Sequence, residues 1–223
     1  MSVQQIPRQL ALALDHAESF ARDDFLMSPC NAAALTLIES WPDWPAQSVV
    51  LVGPEGSGKS HLAAIFAGAA GARFLAARSL ALALLPAALT TGALVVEDIA
   101  AGQFDERALF HLLNLAREEG AFVLLTARTA PAGWKLAVPD LASRLRALPM
   151  VALTAPDDVV LRGVLVKLFA DRQLAVDEGL VGYLTKRIER SIAAARSVVA
   201  ELDREAMRRQ RPLTRALAAE ILR

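Results

Sequence analysis

One stretch, Gly53-Pro54-Glu55-Gly56-Ser57-Gly58-Lys59-Ser60, constrains this chain more than any other. It fits the pattern of a glycine, four residues and then Gly-Lys-Ser without a mismatch. The apolar run before it, Val49-Val50-Leu51-Val52, predicts a strand buried on both faces. The residues after it, His61 to Ala67, are helix formers with apolar side chains at helical spacing. Strand, glycine-rich loop and helix in that order build a cradle for phosphate. Glycines bring backbone N–H groups close to an anion, and the helix start adds free donors and partial positive charge. In such a cradle Pro54, Glu55, Gly56, Ser57 and Gly58 form the loop and His61 continues the helix. Lys59 reaches the outer phosphates, and the Ser60 hydroxyl coordinates Mg²⁺. Nucleotide binding, with ADP or ATP and Mg²⁺, is the expectation.

Composition narrows the setting. The chain has 223 residues, of which 54% are hydrophobic, enough for one large domain or one domain plus a small one. Its formal net charge is zero, which argues against gripping nucleic acid as a main task, so little direct nucleic-acid binding is expected. The single cysteine, Cys30, excludes an internal disulfide, fits a reducing compartment and is expected to be a small buried residue. The longest apolar run, around Leu80 to Leu89, is interrupted by Pro86 and too short to span a bilayer. The N-terminus carries no charged-then-apolar signal segment, so a cytoplasmic protein is expected, with no membrane partner.

Along the chain, a polar start is followed by Gln9-Leu10-Ala11-Leu12-Ala13-Leu14. Extended, this peptide would place Leu10, Leu12 and Leu14 on one side with Gln9 at the rim, a pattern suited to docking into a partner's pocket. Phe20 to Asn31 reads as irregular chain, and Ala32 to Glu39 as a helix stopped by Trp41-Pro42-Asp43-Trp44-Pro45. Further strands are predicted at 72–76, 93–96, 121–126 and 149–153, with Glu97-Asp98 at the carboxyl end of the third strand and Thr126 at that of the fourth. Helices are predicted from Ser79 to Leu85, ending at Pro86, and from Asp105 to Glu119. Strand–helix alternation implies a parallel sheet with helices on both faces, and a ligand off the carboxyl ends of the strands. After Pro156 only helical stripes remain, which predicts a small helical bundle. The expected organisation is a tail over 1–18, an α/β nucleotide-binding domain over 19–155 and an all-α lid over 156–223.

A P-loop α/β domain followed by a helical lid resembles the AAA+ ATPases over nearly the whole chain. Within that group it resembles the DnaA branch and its regulatory relatives. Phe20 with Asp23-Asp24-Phe25 precedes the core as in that branch, and Ser60-His61-Leu62 follows the P-loop lysine in the same manner. Pro139-Asp140-Leu141-Ala142-Ser143-Arg144-Leu145 is close to the segment that carries the family's arginine finger. Gln9 to Leu14 lies where the regulatory relatives carry a peptide that docks on the DNA polymerase III sliding clamp.

The resemblance implies further roles. Glu97 and Asp98 occupy the place of the acids that hold Mg²⁺ and orient water. DnaA proteins carry Asp-Asp there, so Glu97 is a departure, one methylene longer, and weak or no ATPase activity of the chain's own is expected. Thr126 takes the place of the polar sensor of the terminal phosphate, and Phe25 that of a nucleotide contact. Arg144 is the finger offered in trans to a neighbour's ATP, with Arg146 the second candidate. Arg190 and Arg196 compete for the lid sensor. The chain stops soon after the lid, leaving no room for the initiator's helix-turn-helix domain. The function implied is negative regulation of replication initiation. Bound to nucleotide and docked on the DNA-loaded clamp, the protein would stimulate hydrolysis of ATP on DnaA; a homodimer is compatible with this. An independent AAA+ motor or loader is the alternative. A small-molecule kinase would need an acceptor-binding insertion that the strand spacing does not contain.

Overall fold

The apolar run ahead of the glycine-rich loop becomes the strand on which the sheet is built. The computed structural model describes residues 20–222. In chain order the sheet-forming part contains α1 (Ala32–Glu39), β1 (Ser48–Val52), α2 (Lys59–Ala70), β2 (Arg73–Ala76), α3 (Leu85–Ala88) and β3 (Ala93–Ile99). It continues with α4 (Glu106–Glu119), β4 (Phe122–Ala127), α5 (Pro139–Ala147) and β5 (Met150–Ala152). Among the described residues the strands form one sheet in the order β2-β3-β4-β1-β5, with every pairing parallel.

Each central strand is buried on both faces, yet its alternate residues serve different cores. Val50, Val52, Leu94, Val96, Val123 and Leu125 pack with Leu109, Leu112 and Leu113 of α4 and Leu141 and Leu145 of α5. Val49, Leu51, Val95 and Leu124 turn the other way, against Leu35 and Ile38 of α1 and Leu62 and Phe66 of α2. The result is a parallel α/β sandwich. The Glu106 carboxylate accepts a hydrogen bond of 2.8 Å from the Val138 N–H, which ties the start of α4 to the entrance of α5.

Beyond the sheet come α6 (Asp158–Asp171), α7 (Glu178–Thr185), α8 (Ile192–Arg209) and α9 (Arg215–Ile221). Asp157, Asp177, Ser191 and Thr214 cap these four helices, each side chain accepting a backbone N–H of the first turn. Leu161, Leu165, Phe169, Leu184, Val199 and Leu202 form a separate hydrophobic core. The predicted helical bundle is present.

Local predictions fail at three places. The helix expected to end at Pro86 starts beside it, and Ser79 to Leu85 holds short 3-10 turns. Proline lacks an N–H and has a pre-set φ, so it suits the first turn of α3 as well as it suits a stop. The third strand runs on to Ile99 through a register shift between Val96 and Ile99. Cys30 is half-buried, with Sγ 2.9 Å from Ser28 Oγ, because it faces a cavity. The expected docking residues Gln9, Leu10, Leu12 and Leu14 lie outside the described residues. Among the described residues no helix is long and apolar enough to cross a membrane.

Candidate nucleotide-binding site

Gly53 follows β1 directly, and its N–H donates to the Ala127 carbonyl at the end of β4 (3.1 Å). The loop then turns through Gly56 at φ +69° and Gly58 at φ +101°, a left-handed region that disfavours side chains. A Cβ on Gly56 would stand 2.8 Å from the Ser191 Cβ, so this glycine also admits the start of α8 against the loop. The Ile192 N–H donates to the Gly56 carbonyl at 3.0 Å. Lys59 opens α2 with its ammonium donating to the Gly53 and Pro54 carbonyls at 2.7 and 2.8 Å. Burial pushes its pKa below the ordinary lysine value, with Asp98 and Glu55 acting against that shift and Arg128 adding to it.

The loop floors a cavity of about 320 Å³, within the size range of small-molecule sites. From the sheet side it is lined by Glu55, Gly56, Ser57, Gly58, Lys59, Ser60, His61, Asp98 and Arg128. The chain before α1 contributes Phe20, Asp24, Phe25, Leu26 and Cys30. The bundle contributes Val160, Val164, Lys167 and Leu168 from α6 and Ile192 and Arg196 from α8. Charged groups line it on both sides, Lys59, Asp98, Arg128 and Glu55 from the sheet and Asp24, Lys167 and Arg196 beside the aromatic rings. Phe20 and Phe25 meet the His61 ring edge-on at 5.4 and 5.2 Å. His61 Nε2 lies 2.9 Å from the Ala21 carbonyl, and burial lowers its pKa.

A phosphate chain with a flat aromatic base suits this cavity. Ser57 Oγ is buried with no hydrogen-bond partner among the described residues, within a loop whose glycines pass close to Leu153, Ser191 and Phe25. Ser60 and Asp98 both line the cavity, a hydroxyl and an acid of the kind that hold Mg²⁺ through bound phosphates. Among the described residues no three His, Cys, Asp or Glu side chains converge on a metal site. The implied Mg²⁺ would therefore take much of its coordination from phosphate and water.

The sequence-predicted residues do not all arrive at this cavity. Asp98 does, at φ +56°, and its N–H donates to Thr126 Oγ1 at 3.0 Å. The register shift thus turns Asp98 into the cavity, while Glu97 and the buried Thr126 are absent from its lining. Pro54 contributes its carbonyl to Lys59 and lines nothing. Arg196 lines the cavity with its guanidinium 5.9 Å from the centre of the Phe20 ring. Arg190 pairs instead with Asp158 at 2.7 Å, outside the lining. Arg144 is on α5, half-buried, 5.6 Å from the centre of the Phe110 ring and apart from the cavity. Arg146 is exposed and reaches Ser143 at 3.3 Å. Sequence reasoning missed Arg128, Asp24 and Lys167. Arg128 had a signal, a cation two residues beyond the strand-end Thr126. Asp24 and Lys167, 3.1 Å apart, had none, since only packing joins them.

The parallel sheet between helices, followed by a helical bundle, is the fold of the AAA+ domains of DnaA and RuvB. No protein-family model matches the chain. Among solved structures it is similar to domain III of the Thermotoga maritima replication initiation protein DnaA, with a TM-score of 0.75 at 16% identity. That match covers 91% of this chain and 95% of the other. It is similar to AMPPCP-bound DnaA from Aquifex aeolicus, with a TM-score of 0.67 at 14% identity over 84% of this chain and 69% of that one. The Thermotoga maritima RuvB Holliday junction branch migration motor gives a TM-score of 0.73 at 17% identity, covering 91% and 70%.

Proposed function

We propose that this protein is a nucleotide-binding regulator of the replication initiator DnaA, of the type represented by Hda. The cavity holds ADP or ATP with Mg²⁺, with Lys59 on the phosphates and Ser60 and Asp98 toward the metal. Arg196, which lines the cavity, is the lid residue that senses the ligand, rather than Arg190. The tail peptide Gln9 to Leu14 docks on the DNA polymerase III sliding clamp. Arg144 is offered to ATP bound on DnaA, converting DnaA-ATP to DnaA-ADP in the cytoplasm and preventing repeated initiation. The binding of AMPPCP by the DnaA neighbour supports the choice of an adenine nucleotide.

The observation that carries this reading is the placement of Arg144. A guanidinium that served its own nucleotide would line its own cavity, and this one sits on another helix against Phe110. Its absence from that lining supports a role in neutralising the charge that builds up on a neighbour's transferring phosphoryl group. The test is single-turnover conversion of labelled DnaA-ATP in the presence of DNA-loaded clamp. With Arg144→Ala the stimulated rate should fall at least about ten-fold, a modest fraction of the ~10³–10⁵ attached to such arginines. Undiminished stimulation by the variant removes Arg144 from the role and makes Arg146 the next candidate. If the wild-type protein does not stimulate DnaA but hydrolyses ATP rapidly alone, it is an independent motor.

A further inference from the structure

Glu55 and Arg128 have no role in the scheme above, yet they face each other across the phosphate end of the cavity. Arg128 Nη1 lies 2.6 Å from Glu55 Oε2, and both residues belong to the lining. The backbone puts Arg128 there for a definite reason. Ala127, its neighbour, accepts the Gly53 N–H, and Thr126 accepts the Asp98 N–H. Arg128 thus emerges between the root of the loop and the bulge that turns Asp98 inward. Lys59 feels the charges of Asp98, Arg128 and Glu55 together, so these four groups share one end of the cavity.

We infer that Arg128 reads the terminal phosphate of a nucleoside triphosphate, with Glu55 as the partner it leaves to do so; this rests on the nucleotide reading of the cavity. The two side chains are 60% and 67% exposed, and exposed ion pairs of this kind contribute little, so the exchange of partners is easily made. A guanidinium presents paired N–H donors that match two phosphate oxygens, and the single Nη1 contact to Glu55 shows that Arg128 pairs with an anionic oxygen here. A diphosphate seated over Lys59 ends one group short and leaves Arg128 with Glu55. A third phosphate competes with Glu55 for the same guanidinium. The pair therefore sets the preference of the site between triphosphate and diphosphate.

The experiment is calorimetric titration of the full chain, with ADP and with AMPPCP, in Mg²⁺ buffer. The proteins are the wild type, Arg128→Gln, Arg128→Lys, Glu55→Gln and the double variant Glu55→Gln/Arg128→Gln, each checked by thermal melting. Arg128→Gln should weaken AMPPCP relative to ADP by about ten-fold or more, the scale of one lost charged hydrogen bond. Arg128→Lys should recover part of that loss. Glu55→Gln should shift the ratio the opposite way, toward AMPPCP, and should have no such effect once Arg128 is Gln. Equal weakening of both nucleotides by Arg128→Gln, or an unchanged ratio, overturns the inference and leaves the nucleotide site standing. Wild-type protein that binds neither nucleotide overturns the reading of the cavity and this inference with it.

Discussion

The sheet and the helical bundle meet at one cavity but hold their sides of it by different means. On the sheet side, Lys59, Asp98 and the loop are anchored by backbone pairing. The Gly53 N–H is bonded to Ala127, the Leu153 N–H to Val52 at 2.7 Å, and β1 pairs with β4 along its length and with β5 from Val50 to Val52. On the bundle side, the attachments run between side chains and single backbone groups. Ile192 donates to Gly56, Lys167 pairs with Asp24, and Leu26 leans on Gly163. The bundle also has its own core, separate from the two that sandwich the sheet. The two walls differ in construction, one held by sheet pairing and the other by contacts between separate cores.

The comparison breaks most sharply if the two parts do not unfold separately. Phe66, fully buried under the sheet, and Phe169, fully buried in the bundle, are matched probes. Truncation of either to alanine should cost about 3–5 kcal/mol in its own core. Amide hydrogen exchange should then accelerate over β1, α2 and β4 with Phe66→Ala, and over α6 to α9 with Phe169→Ala. Acceleration of both regions by either change would make them one cooperative unit.

A smaller effect separates the two walls of the site. Lys59→Ala should weaken ADP by at least about 100-fold, since two or more charged contacts at about 1.5–3 kcal/mol each are lost, with exchange in α8 unchanged before ligand is added. Gly56→Ala should weaken ADP less, by about ten-fold, because it acts at the φ +69° turn and through contact with Ser191. It should also loosen the N-terminal turn of α8, which Lys59→Ala should not. Exchange measured over 191–196 beside the ADP titration checks both; a rigid α8 in Gly56→Ala would show that the lid does not depend on the loop.

The smallest expected effect lies at the seam, where His61 of α2 meets the chain before α1. Burial is the largest cause of its lowered pKa; the Ala21 carbonyl and Asp24 oppose it, while Arg196 and Lys167 add to it. The folded state therefore holds the proton less readily than the unfolded chain. The His61 contribution is complete above the ordinary value near 6.5 and is lost as pH falls through that value and below. Urea unfolding at pH 7.5 and pH 5 should show a larger loss for the wild type than for His61→Gln, by under about 1 kcal/mol. Equal losses would remove His61 from the seam's pH response.

Much of the architecture was legible because its signals are local. Val49 to Val52 had to be a doubly buried strand, and the stripe of Leu109, Leu112 and Leu113 had to face a core. Leu180 and Leu184 marked a helix by spacing alone. Pro86 misled because one residue type serves both as a helix stop and as a first-turn residue. The site was legible only in part. Glu97 and Asp98 are adjacent, and no rule of sequence tells which of two neighbours a bulge will turn inward.

The sequence by itself determined the glycine-rich loop, the succession of buried strands and the helical stripes after Pro156, since each depends on residues within a few positions of one another. The tertiary structure decided that Arg196 and not Arg190 lines the cavity, and that Arg144 stays out of it. It also brought Glu55 to Arg128 and Asp24 to Lys167, pairs separated by 73 and 143 positions (128 − 55; 167 − 24). Periodicity carries no information over such distances. Those partners are set by the parallel register of β1 with β4 and by where the bundle rests on the loop, and both are products of burying the whole core at once.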